Sequence, residues 1–421
     1  MAREMKNSGI EWIGDIPTNW SISKMKYIGQ YINGYAFKPE DWGNTGKRII
    51  RIQDLTRCND NPNYYNGEID KKYLVKAGDI LVSWAATLDA FVWKQEDSWL
   101  NQHIFKATPN EKLIKYDFFY WLIKEAIHNM ANENLHGIMM QHVTLGLFGN
   151  YSVPLPDLRE QQKIADFLNR TCAEIDTVIE KTKTTIEEYK KLKQSVITEA
   201  ITKGIRGERP MKDSGIEWIG DIPSDWKVIP LQYFVDLNKE TLGENTPADY
   251  EFEYVEIGAV TLANGIEEYQ HYKFSDAPSR ARRVVHKGDI IVSTVRTYLK
   301  AIAIVPDKEN VIVSTGFAVL TPKNICTSYL GWSLKSEYFV HTVSSNSVGI
   351  SYPAINASDL IKFKIAIPNS CEQQEIADYL DRKCAEIDKL IADKTHLLEE
   401  MESYKKSVIY EYVTGKKEVV L

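Results

Sequence analysis

The sequence has no apolar run approaching the ~18 residues that a membrane-spanning helix needs. Its opening, Met-Ala-Arg-Glu, lacks the apolar core of a secretory signal. Five cysteines, at 58, 172, 326, 371 and 384, are too few and too scattered for a disulfide framework in 421 residues. These absences lead us to expect a soluble, reduced, cytoplasmic protein without membrane contact. There is no excess of positive charge either: 51 Lys+Arg stand against 58 Asp+Glu, a net charge of −7. That balance excludes a polycation that coats nucleic acid, but it allows a local basic groove.

Catalytic signatures are missing as well. There is no Gly-x-Gly-x-x-Gly, no His-Glu-x-x-His and no Cys-x-x-Cys. Gly46-Lys47 resembles the end of a phosphate-binding loop, but Asp41 stands where a glycine is needed and Arg48 where a Ser or Thr is needed. Pro306-Asp307 has no Asp/Glu-x-Lys triplet nearby to make a nuclease site. Asn61-Pro62-Asn63-Tyr64 resembles a methyltransferase loop only superficially and reads better as a turn. His136 and His142 are simpler as loop or core residues than as metal ligands. The chain reads as non-catalytic, with no metal or cofactor of its own.

What is present is a duplication. Residues 5–20, MKNSGIEWIGDIPTNW, return at 211–226 as MKDSGIEWIGDIPSDW, identical at 13 of 16 positions. Residues 155–176, LPDLREQQKIADFLNRTCAEID, return at 367–388 as IPNSCEQQEIADYLDRKCAEID. The period is far too long for a solenoid, so the chain is two copies of one unit of about 200 residues in a pseudo-twofold relation. Between these anchors the copies diverge. Lys76-Ala77-Gly78-Asp79-Ile80-Leu81-Val82-Ser83 still answers His286-Lys287-Gly288-Asp289-Ile290-Ile291-Val292-Ser293, and Gly137-Ile138 answers Gly349-Ile350. A shared scaffold with divergent inserts suits two copies that bind one kind of partner and read two different things.

Residues 158–203 and 370–414 carry helical periodicity. Ile175, Val178, Thr182, Thr185, Tyr189, Leu192 and Val196 step by three and four. Ile387, Leu390, Lys394, Leu397, Met401, Tyr404 and Val408 occupy the equivalent places. Pro156 and Pro368 punctuate the entries, and Gly204 and Gly415 lie near the exits. Neither stripe can be buried by its own helix, so we expect the two helices to pair with each other as an antiparallel coiled coil. The apolar members, Ile175, Val178, Tyr189, Leu192, Val196, Ile387, Leu390, Leu397, Met401, Tyr404 and Val408, are the expected pairing residues. The inserts read as mixed α and β, an α+β class. The Gly-Asp turn followed by Ile80–Ser83 or Ile290–Ser293 predicts a strand. Phe118–Ile123 and Tyr329–Leu334 predict aromatic-rich helices on a sheet.

In order and in duplicate, these features resemble the specificity subunit of type I restriction–modification systems. The Trp-Ile-Gly-Asp-Ile-Pro motif, Gly34-Tyr35-Ala36-Phe37, the Gly-Asp-Ile strand and Pro-x-x-x-Glu-Gln-Gln-x-Ile-Ala-Asp-[Phe/Tyr]-Leu carry the likeness, over about residues 5 to 417. The resemblance implies two target-recognition domains, each followed by a long helix: 1–156, helix 157–205, 206–368, helix 369–421. It implies a subunit that binds a bipartite stretch of double-stranded DNA and holds two methyltransferase subunits, with two motor-endonuclease subunits joining for restriction. S-adenosylmethionine, ATP and Mg would belong to those partners and not to this chain. One departure concerns the residue after the Gly-Asp-Ile strand. Family members often carry a basic residue soon after it; here Trp84 stands in that place in the first copy, while Arg296 follows in the second.

Arginine reads guanine with two hydrogen bonds, and Asn or Gln reads adenine in the same way. For DNA contact we single out Lys47, Arg51, Trp84, Gln141 and His142 in the first domain, and Arg282, Arg283, Arg296, Tyr298 and Tyr352 in the second. Basic clusters of this kind are also common on solvated faces. Two other functions fit the same sequence: a stand-alone sequence-specific DNA-binding regulator, and a coiled-coil protein-interaction scaffold.

Overall fold

The computed structural model of the chain describes residues 3–56, 61–85, 87–135, 143–349 and 352–419. The chain forms two compact units. One runs up to Thr182 and takes in His396 onward; the other spans Lys183–Thr395. No helix among the described residues is long and apolar enough to cross a membrane.

Each unit holds two four-stranded sheets, and the strand order repeats. In the first unit, an antiparallel sheet runs Gly29–Asn33, Ile104–Pro109, Ile80–Ser83, Asp89–Val92. A second sheet runs Tyr64–Tyr65, Lys47–Ile50, Ser98–Leu100, Leu74–Val75, with its two middle strands parallel. In the second unit the counterparts are Val235–Leu237, Phe317–Pro322, Ile290–Ser293, Ile302–Ile304 and Gln270–Lys273, Glu251–Val255, Val311–Ser314, Ala281–Val285. There too the two middle strands of the second sheet, Glu251–Val255 and Val311–Ser314, run parallel. The divergent inserts are thus one fold twice.

The surviving sequence framework explains why. Ile80–Ser83 and Ile290–Ser293 are buried at every position, as inner strands covered on both faces must be. The turn before each strand needs a positive φ, supplied by Gly78 (95°) and Gly288 (86°). The aspartate closes that turn: the backbone N–H of Lys76 donates to Asp79 at 2.8 Å, and that of His286 to Asp289 at 2.8 Å. The aromatic segments are helical as expected, within Tyr116–Leu135 and Thr327–Lys335.

The Glu-Gln-Gln motif opens both long helices, Leu158–Lys203 and Ser370–Val413. Asp157 caps the first, accepting from the N–H groups of Arg159 and Glu160 at 2.9 Å; Asn369 caps the second, accepting from Glu372 at 3.0 Å. The motif glutamate turns toward the motif tryptophan. Trp20 Nε1 donates to Glu160 at 2.7 Å, and Trp226 Nε1 to Glu372 at 3.1 Å. An arginine closes each cluster: Arg3 lies 2.5 Å from Glu160 and Arg209 2.6 Å from Glu372, with each guanidinium stacked over the tryptophan ring. The first glutamine clamps the sheet-side helix to the long helix. Gln161 accepts from Lys115 N–H at 2.8 Å, and Gln373 accepts from Cys326 N–H at 2.9 Å. The second glutamine spans one turn to the motif aspartate, Gln162 to Asp166 at 2.9 Å and Gln374 to Asp378 at 2.8 Å.

Within each unit, the two long-helix segments run antiparallel. In the first unit Phe167 packs against Tyr412, with tilted rings 4.3 Å apart between centres, while Asp176 meets Lys405 further along. In the second, Arg206 meets Glu375 and Lys193 meets Asp388. The buried stripe differs in phase from the one expected. Positions 175, 182 and 189, and 387, 394 and 401, face inward or half inward, as does Val408. The alternate positions fall one residue later than the expected ones. Val178, Leu192, Leu390 and Tyr404 are 43%, 48%, 43% and 53% exposed, while Ile179, Ile186, Lys193, Ile391, Leu398 and Lys405 turn inward or half inward. Each heptad takes its four-residue step before its three-residue step, so Val178 and Leu390 rotate out by about 100°, one residue's turn of the helix. Val196 and Leu397 sit half-buried beside the stripe.

Candidate nucleic-acid interface

In the first unit a groove opens where the Ser98–Leu100 strand hands over to Ile104–Pro109. Its walls include Trp42, Arg51, Gln53, Asn101, Gln102 and His103. The chain between the strands is a tight turn in which Ile104 N–H donates to Asn101 O at 3.1 Å. That turn lies directly on Gly34: a Cβ there would sit 2.0 Å from the Asn101 carbonyl oxygen. Only glycine allows this approach, which explains the Gly34 of the family-like segment. Arg51 is stacked 5.1 Å over Trp42 and donates to Asn63 at 3.0 Å. Trp84 packs against the core, 5.8 Å from Phe105 and 5.4 Å from His103 in ring-centre distance. Of the nominated residues, the structure thus brings Arg51 to the groove and puts Trp84 behind it against His103. Lys47 is exposed on the strand that pairs with Tyr65. Gln141 and His142 lie outside the described residues, as do Gly137 and Ile138.

The second unit has a groove at the matching turn, between Val311–Ser314 and Phe317–Pro322. Arg283, Thr294, Thr315, Asn346, Val348 and Asn356 are among its walls. The loop after Ile290–Ser293 is held by Ser347, Ala354 and Ile355. Val348 bridges Ala354, Val295 bridges Ala354, Thr297 Oγ1 donates to Ser347 at 2.9 Å, and Ile355 N–H donates to Thr294 O at 2.8 Å. Arg296 and Lys300 flank its single 3₁₀ turn, both with φ of 52°, a left-handed conformation that non-glycine residues adopt at a cost of roughly 1–3 kcal/mol. Arg296 stacks 5.4 Å over Tyr352, and Tyr298 and Tyr352 are 54% and 67% exposed. Arg296 and Tyr352 therefore form a basic–aromatic pair beside the groove, with exposed Tyr298 on the adjoining 3₁₀ turn, and Arg283 lines the groove itself. Arg283 donates to Thr241 at 3.1 Å, while its Nε is buried with no partner among the described residues. Arg282 does not join them: it falls at the register shift in its strand, stacks 4.6 Å over Phe274 and donates to Ala281 O.

Gln53, Gln102 and His103 were not foreseen, nor were Thr315 and Asn346. A signal for the first set existed. Asn101-Gln102-His103 is a run of three hydrogen-bonding side chains between two apolar strands, and the Gly34 turn is repeated in neither wording nor spacing in the second copy. The two grooves meet at a matched turn and are lined differently there: Asn101, Gln102 and His103 in one, Thr315 in the other. Both present polar groups on rigid turns, and stacked cations stand beside them, as base and phosphate contact requires. Among the described residues no cluster of three metal-ligating side chains occurs.

Comparison with known proteins gives a consistent answer. The family model described as type I restriction modification DNA specificity domain matches residues 17–188 and 223–400. The type I restriction enzyme EcoBI specificity subunit of Escherichia coli is 24% identical over 428 residues, covering 99% of this chain and 90% of that one. The MjaVIII specificity subunit of Methanocaldococcus jannaschii is 26% identical over 364 residues, covering 82% and 81%. Among solved structures, a chain from work on the assembly and conformational transition of a type I R-M system superposes with a TM-score of 0.70 at 15% identity, over 96% of this chain and 99% of that one. That last likeness is one of fold.

Proposed function

The chain belongs to the type I restriction–modification DNA specificity family and is a DNA specificity subunit, and we propose that it reads a bipartite, asymmetric target in double-stranded DNA, one half-site per recognition domain. The domains are residues 1–156 and 206–368. One observation carries this reading: the same two sheets in the same order present grooves with different side chains. Equal scaffolds hold both domains to one duplex in one manner, while unequal linings read unequal sequences. Arg51 in the first domain, and Arg283, Arg296, Tyr298 and Tyr352 in the second, are the contacts that stand at the grooves. Lys47, Gln141, His142 and Arg282 remain contacts to phosphate or base in the same proposal.

The chain carries specificity and no chemistry of its own. The opening motifs and long helices are repeated almost word for word, which supports the docking of two methyltransferase subunits. Two motor-endonuclease subunits complete the assembly for restriction. S-adenosylmethionine, ATP and Mg serve those partners. The test is methylome sequencing of cells that produce this chain together with its methyltransferase. A two-part motif with unlike halves is the expected result. A palindromic motif, or no motif that depends on this chain, would overturn it.

A further inference from the structure

We infer that Gln102 reads an adenine in the half-site of the first domain. The inference rests on the function proposed above and goes on to name a residue and a base. Four observations carry it.

The first is position. Gln102 occupies the tight turn Asn101–Ile104 at the wall of the groove. The second is rigidity. The turn is tied on three sides: Gln102 N–H donates to Asn101 Oδ1 at 2.8 Å, Gly34 N–H to Ile104 O at 3.1 Å, and Tyr35 N–H to Leu100 O at 2.8 Å. A side chain that reads a base must start from a fixed backbone.

The third is unsatisfied capacity. The Gln102 side chain is half-buried, yet its sole polar contact among the described residues is a long one, 3.4 Å from Nε2 to His103 Nε2. Its carbonyl oxygen accepts nothing there. A carboxamide offers one acceptor and one donor side by side, which complements the N6 donor and N7 acceptor of adenine. Guanine presents two acceptors on that edge and calls for two donors. Of the two arginines nearby, Arg48 is ion-paired with buried Asp54, and Arg51 keeps the separate contact proposed above. The fourth is contrast. The same turn of the second unit, between Val311–Ser314 and Phe317–Pro322, places Thr315 in its groove. A hydroxyl bonds any base and makes no paired contact, so the two domains differ in chemistry at a matched position.

The experiment uses the complex of the chain with its methyltransferase, as wild type, Gln102→Ala and Gln102→Glu. The first half-site is the one that changes when residues 21–152 are exchanged for those of a relative. In wild type, one position of that half-site should require an A·T pair. Gln102→Ala should relax that requirement on the order of tenfold to a hundredfold, with the other half-site and the spacer unchanged. Gln102→Glu should shift preference toward C·G, because a carboxylate accepts from cytosine N4. An unaltered first half-site in both variants overturns the inference, and so does loss of all methylation in both. A wild-type complex with no bipartite motif would overturn the proposed function itself, a separate result.

Discussion

Lys405 Nζ lies 2.6 Å from both carboxylate oxygens of Asp176, across the antiparallel helix segments of the first unit. Its repeat counterpart is in the second unit, where Lys193 Nζ meets Asp388 at 2.7 and 2.6 Å. Both lysines occupy inward positions of the stripe, with side chains 21% and 11% exposed. A cation paired across a largely apolar seam favours one register, because a slip parts it from its carboxylate. Lys405→Ala should lower stability by about 1 kcal/mol, and a double-mutant cycle with Asp176→Ala should give a coupling of roughly 0.5–1 kcal/mol. Chemical denaturation of the four proteins checks it; additive effects would show that the pair is incidental.

The tryptophan clusters predict an unequal pair of defects. The Glu372 side chain is fully buried, whereas that of Glu160 keeps 18% exposure. Removing the indole donor should matter more where water cannot replace it. Trp226→Phe should cost about 1–3 kcal/mol and Trp20→Phe less. Urea unfolding of the two variants tests the order. Equal losses would mean that ring packing, and not the hydrogen bond, dominates both clusters.

Asp89 makes the first unit sensitive to acid. Burial raises its pKa, but His128 at 3.1 Å and Lys124 at 2.5 Å outweigh that and hold it at about 2. A depressed carboxylate pKa stabilises the fold above the unfolded value near 4, and the gain is lost as pH falls toward 2. The group should contribute on the order of 2 kcal/mol above pH 4. Stability should therefore fall more steeply between pH 4 and 2 in the wild type than in Asp89→Asn. Parallel profiles would sink the assignment.

Arg283 distinguishes two kinds of contact. As a base reader, its replacement by Ala should cost roughly 1–3 kcal/mol of binding and relax one position in one half-site. As a phosphate contact, it should weaken binding to all sequences and reduce the salt slope by about one. Binding titrations of the complex across salt concentrations, with matched and mismatched duplexes, separate the two. No change in either would return Arg283 to a structural role with Thr241.

The duplication, the long helices and the Gly-Asp-Ile strands were legible because they rest on local rules: turn glycines, caps and a 3.6-residue period. The phase of the stripe was harder. Val178 and Ile179 are both β-branched and apolar, and only the partner helix decides which turns in. Arg3 and Arg209 could have been read from the 206-residue offset that relates them, since both precede the shared motif. The grooves were the least legible part. Their walls come from segments far apart in sequence, such as 42, 51 and 102 in the first unit, and a single sequence carries no record of such meetings. Nomination by charge found Arg51 and Arg283 but passed over neutral Gln102.

Lys416 Nζ donates to the carbonyl of Ile13 at 2.7 Å, and Gly415 packs against the Trp20 ring. The partners in that contact are 403 residues apart in the chain. During synthesis, Trp20 and its neighbours leave the ribosome long before the segment that covers them, while Lys183–Thr395 emerges as one uninterrupted stretch. The second unit can thus finish folding first, and the first unit must wait with part of its apolar core open. The entropy of closing so long a loop rises only slowly with length, by about 0.6 kcal/mol per doubling. The delay is therefore a matter of time rather than of final stability, and it makes the interval before residue 396 appears the stage at which a nascent chain is most open to chaperones, to misassociation and to proteolysis.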